Sequence, residues 1–150
     1  VVYVLIALVL LSIVAAMLKL LPSAEERMLA RLRKQALSDG LRIKVTGLKD
    51  LLWWPKDGNL PILAVAAYWK TKESLRHQTW LYIVSGEQAG LESVAINQMS
   101  EQDLLYLRTL KAQLGQHLIA VEAKNSALWV YWIESEKLYP ALMAYFQCYK

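Results

Sequence analysis

The first eighteen residues of the chain carry no charge, and Tyr3 and Ser12 are their only polar side chains. The run is apolar all round rather than along one stripe, the pattern of a helix covered on every side. About 20 apolar residues span the hydrocarbon of a bilayer at roughly 1.5 Å per residue. Lys19, its ammonium reaching outward, with Leu20 and Leu21 completes that length. Pro22 then breaks the helix, and Ser23 with Glu26 has the spacing of a capping box that starts another. This second helix runs to about Ser38, with Gly40 as its stop. Leu29, Leu32, Ala36 and Leu37 are its apolar positions, and Arg27, Arg31 and Lys34 mark a basic face.

From Leu41 the period changes from three or four to two. Leu41, Ile43 and Val45 alternate with Arg42, Lys44 and Thr46, a half-buried strand. Strands are predicted over 61–70 and 78–84, with a shorter one at 91–96. Ser100 with Asp103 opens a further helix to about Gln113, stopped by Gly115. Two strands, 118–123 and 127–133, flank Lys124-Asn125-Ser126 as a hairpin. A last helix covers roughly 136–148, and Pro140 belongs in its first turn because it has no N–H to donate. Short connections favour antiparallel pairing. The expected fold is therefore α+β: a single N-terminal transmembrane helix, then a small, mostly antiparallel sheet with helices packed on one face. The expected division is 1–21 as anchor, 22–40 as a juxtamembrane amphipathic basic helix, and 41–150 as the α+β domain.

Charge gives this layout a direction. Residues 19–76 hold 12 Lys and Arg against 6 Asp and Glu, a net of +6, whereas residues 77–150 hold 5 against 7, a net of −2. Lys19, Arg27, Arg31, Arg33 and Lys34 follow the apolar run closely and no Lys or Arg precedes it. Positive flanks stay on the cytoplasmic side, so the reading is a single-pass inner (plasma) membrane protein with its C-terminal domain cytoplasmic. A cleaved signal would have Val14-Ala15-Ala16 as its processing site but lacks a basic start. A buried core helix is the other alternative. The lone Cys148 gives no intramolecular disulfide and no sign of an oxidising compartment.

The candidate contacts follow from the same chemistry. Lys19, Arg27, Arg31 and Lys34 suit an anionic leaflet or a partner. Trp53 and Trp54, bracketed by Lys49 and Lys56, suit the headgroup layer or an interface, unless they fill the core. Ala7, Ser12 and Ala16 are small enough for another helix to approach, although only Ser12 and Ala16 stand four apart. Partners are thus a lipid bilayer and an integral membrane protein. Neither nucleic acid nor a small-molecule substrate is indicated.

Catalytic chemistry finds little purchase. His77 and His117 have no metal-ligand spacing with each other or with Cys148, which reads as a packed thiol. The six glycines never cluster into a phosphate-cradling loop. No cofactor and no enzymatic activity are expected. The order Leu20-Leu21-Pro22, then Arg31-Leu32-Arg33-Lys34, then the strand 41–46 resembles the layout of YajC, the small accessory subunit of the bacterial Sec translocon. That similarity covers residues 1–46, is one of order and charge, and implies an accessory role at a membrane complex. The leading expectation is accordingly a membrane-anchored accessory or scaffold subunit. The alternative is a membrane-tethered binding module using Trp69, Trp80, Trp129 and Trp132.

Overall fold

A computed structural model describes residues 2–19, 21–47, 50–51, 64–84 and 99–149. Helix α1 (Val2–Lys19) buries none of its residues. It is long and apolar enough to cross a membrane by length and composition. Helix α2 (Ala24–Ser38) starts where the sequence places it. Ser23 Oγ accepts from Glu26 N at 3.1 Å, and Glu26 Oε2 accepts from Ser23 N at 2.7 Å. Each side chain thereby satisfies a backbone N–H that the first helical turn would otherwise leave unpaired.

The strands are β1 (Arg42–Gly47), β2 (Ala64–Thr71), β3 (Trp80–Ile83), β4 (Leu118–Lys124) and β5 (Ala127–Trp132). Among the described residues they form one sheet in the order β1-β2-β5-β4-β3, antiparallel at every pairing. Helix α3 (Glu101–Leu114) lies in the connection from β3 to β4, and α4 (Tyr139–Cys148) follows β5. The predicted strand at 91–96 lies outside the described residues. The β4–β5 hairpin turns on Asn125 and Ser126, at φ 52° and 59°. Two successive left-handed residues make a turn whose twist matches that of the strands.

Alternation sorts the side chains onto two faces. Ala66, Tyr68, Trp80, Tyr82, Val121, Leu128, Val130 and Trp132 meet α2, α3 and α4 in the main core. The helices contribute Leu32 and Ala36, then Leu107, Leu110 and Leu114, then Leu142 and Phe146. Val65, Ala67, Leu81, Ile119, Ala120 and Tyr131 form a smaller cluster on the opposite face. A register shift between Leu118 and Ala120 accounts for Ile119 and Ala120 sharing a face despite being consecutive. The structure thus has the expected α+β layout, an antiparallel sheet with its helices on one face.

Candidate functional site

Helix α2 is fixed to the domain by more than its apolar stripe. Leu32 and Ala36 are buried, and Arg33, between them and the solvent side, turns inward. Its Nε donates to Glu134 Oε1 at 2.8 Å, and its second nitrogen pairs with Oε2. Tyr68, on the helix-covered face of β2, donates its hydroxyl to the same Oε1 at 2.7 Å. The Glu134 side chain is only 7% exposed, so this fork satisfies a carboxylate largely removed from water. Hydrogen bonding to Glu134 raises the Arg33 pKa, against burial, which lowers it. Burial, then Glu134, holds the Tyr68 hydroxyl far above its ordinary range. At the end of α2, Tyr139 donates to Asp39 Oδ2 at 2.7 Å, and Lys70 reaches the Asp39 carbonyl at 3.4 Å. The Arg33–Glu134 and Asp39–Tyr139 contacts join residues about 100 positions apart in the chain.

The proposed contact residues on α2 occupy its other side. Arg27, Arg31 and Lys34 are all exposed, as is Lys19 at the end of α1. Arg27 Nε donates to the Pro22 carbonyl at 3.1 Å, bracing the bend between the two helices. Leu37, expected on the apolar face, is 59% exposed. It falls outside the arc centred on Ala36, and the hydrophobic letter alone misplaced it. Trp53 and Trp54 lie outside the described residues. On α1, Ala7, Ser12 and Ala16 are exposed, and Ser12 Oγ donates to the Val9 carbonyl at 2.7 Å. That bond satisfies the hydroxyl within its own helix. Ser12 and Ala16 share one side, while Ala7 lies elsewhere and leaves a shallow hollow among Tyr3, Val4, Leu8 and Leu11.

The four tryptophans of the binding-module alternative divide between the faces. Trp80 and Trp132 are 1% and 0% exposed in the main core, so they are unavailable to a ligand. Trp132 packs edge-on against Tyr68, with centroids 5.4 Å apart. Trp69 and Trp129 stand on the other face as a directly opposed cross-strand pair, stacked at 4.6 Å. Arg42 lies 4.8 Å above the Trp69 ring, extending the row by a cation–π contact. Beside Trp129 is a cavity of about 280 Å³ that opens between β1 and the β4–β5 hairpin. Ala67 lies between Trp129, Tyr131, Lys44 and Glu122 among its walls. Glu122 accepts from the Tyr131 hydroxyl at 3.0 Å and stands 3.7 Å from Lys124. This is a mixed aromatic and charged surface that holds two of the four tryptophans named from the sequence, and strand alternation is the signal that separates Trp129 from Trp132.

The two histidines and the cysteine are apart from this cavity. His117 Nδ1 lies 3.0 Å from the Ile133 carbonyl, a bond that joins the residue before β4 to the residue after β5. His77 is exposed in a turn before β3. Cys148 is exposed rather than packed, and its Sγ donates to Ala144 O at 3.3 Å. Helix α4 turns Tyr145 and Phe146 inward, which leaves position 148 on the outer side. No group of three or more His, Cys, Asp or Glu that could hold a metal ion occurs among the described residues. No protein-family model matches the chain, and no curated protein or solved structure is significantly similar to it.

Proposed function

We propose that the chain is a single-pass membrane-anchored accessory or scaffold subunit of a larger complex, with α1 as its transmembrane anchor. The domain then stands on the cytoplasmic side of a bacterial inner membrane, where flanking basic residues hold it. The observation that carries this reading is that α1 is uncharged up to its last residue, Lys19, and buries none of its residues. Thirteen large hydrophobic side chains of α1 are exposed. Covering each is worth ~1.5–3 kcal/mol. Leaving them in water forgoes that gain at every one of these positions, which strongly favours an apolar environment around α1. A core helix would bury an apolar stripe against the sheet, whereas the domain's core is filled by α2, α3 and α4. Lipid hydrocarbon, with a partner helix at Ser12 and Ala16, supplies the missing cover.

Native mass spectrometry of the chain extracted in mild detergent tests the accessory role. A stoichiometric membrane partner is the expected result, and a free monomer under gentle extraction would contradict it. The Trp69–Trp129 face gives a second reading specific support: a membrane-tethered module that binds a ligand beside Glu122. Trp129→Ala should then abolish binding while leaving partner association intact. Loss of both, or of neither, would count against a separate ligand site.

A further inference from the structure

The basic residues of α2 form a stripe that faces away from the domain. At about 100° per residue, Arg27, Arg31 and Lys34 fall within roughly 60° of one another and about opposite Ala36. Ala36 is fully buried against the core, so the three cations point directly outward. Arg33, the one basic residue of the helix off this stripe, is bound to Glu134 instead. The acidic residues of the first turn are off it too. By the same arithmetic Glu25 falls within roughly 20° of Ala36, and Glu26 lies about 100° from Arg27 while its carboxylate caps the helix. The stripe therefore presents cations without local counter-charges.

Its distance from α1 is limited by the chain. From Lys19 to Ala24 there are five peptide steps, which reach at most about 18 Å when extended. Arg27 Nε, bonded to the Pro22 carbonyl, keeps the start of α2 close to the bend. The clamp of Arg33, Glu134 and Tyr68 makes α2 and the domain one body, so the stripe moves only as the domain moves.

From this geometry we infer that α2 lies along the membrane surface, with Arg27, Arg31 and Lys34 on the phosphates of anionic phospholipids and the domain seated above it. The inference rests on α1 being the membrane anchor. A leaflet is the favoured occupant because that anchor keeps a bilayer within reach of the stripe at all times. Each basic side chain near an anionic surface favours the docked state by roughly fivefold, and three together by ~100-fold. The attraction is lost beyond about 10 Å at ordinary salt, so it acts only when the helix lies down.

Ser38 offers the most direct readout. It is exposed at the far end of α2 and falls on the same stripe, about 21 Å along the helix axis from Ala24. A spin label on Ser38→Cys, in a Cys148→Ser background, reports depth by accessibility to oxygen and to a water-soluble nickel chelate. The full chain is reconstituted in vesicles of phosphatidylcholine alone or with three-tenths phosphatidylglycerol. The expected result is a label at the headgroups in the anionic vesicles and in water in the neutral ones. The triple variant Arg27→Gln, Arg31→Gln, Lys34→Gln should return it to water in both. A label in water in both compositions, with the chain still resistant to alkaline extraction, overturns the docking while leaving the anchor intact. A label that leaves water only in native membranes, never in pure lipid, assigns the stripe to an acidic protein and overturns the lipid assignment. Extraction of the whole chain at high pH overturns the anchor itself.

Discussion

Helices α1 and α2 are neighbours in the chain, and they answer the same physical demand in opposite ways. Helix α2 separates its residues by side: Leu32 and Ala36 go to the core, Arg33 to a buried carboxylate, and the remaining cations to the outside. Helix α1 separates nothing. Apart from Tyr3, Ser12 and the terminal Lys19 its side chains are apolar all round, and every residue is exposed. A helix stabilised by a domain has one good face; a helix stabilised by its solvent has only good faces, provided that solvent is hydrocarbon. What holds α2 is therefore visible among the described residues, whereas none of them covers α1.

Alkali should part the two helices most completely. Burial raises the hydroxyl pKa of Tyr145 and Tyr149 on and after α4, as it does for Tyr68 and Tyr139 beside α2. In the unfolded chain such groups lose their protons near pH 10. The folded state keeps them, so its stability is whole below about pH 10 and drains by a few kcal/mol per unit above it. Tyrosinate absorbance should accordingly rise in a cooperative step at about pH 11–12, together with loss of tertiary signal, while α1 keeps its helical signal in the membrane. Gradual titration with no structural step would show that the tyrosines do not hold the domain together.

Substitutions sharpen the contrast at single positions. Leu10→Lys puts a charge at the middle of α1, at a cost of ~3 kcal/mol to insertion. The fraction sedimenting with membranes should fall about 100-fold in its ratio to the soluble form. Leu37→Lys, on the exposed side of α2, should leave it unchanged. Leu32→Ala removes a fully buried side chain and should lower the stability of the detergent-solubilised domain by ~3 kcal/mol in urea unfolding. Arg33→Ala should cost ~2 kcal/mol by the same measurement, less than a fully buried pair because the Arg33 side chain is 35% exposed. Arg31→Ala should stay within ~0.5 kcal/mol. Equal losses for Arg33 and Arg31 would mean that the fork to Glu134 contributes nothing.

How far the sequence could carry this depended on the range of each interaction. Capping boxes, the change of period at Leu41 and the turn at Asn125-Ser126 are local, and each element they predict is present. The division of the tryptophans was also within reach: Trp129 and Trp132 stand three apart on one strand and must face opposite sides. The pairing of Arg33 with Glu134 was not, because it depends on β5 lying at the centre of the sheet. No local period encodes that strand order. Cys148 failed for a related reason, since an apolar helix packs only one side and the sequence did not say which.

The most direct test of the central claim is sedimentation of native membranes washed with alkaline carbonate at about pH 11.5, which strips proteins held by their surfaces. With α1 across the bilayer, the chain should remain in the pellet although its tyrosine-rich domain has opened, and Leu10→Lys should release it. Release of the unaltered chain into the supernatant would contradict the claim that α1 spans the membrane.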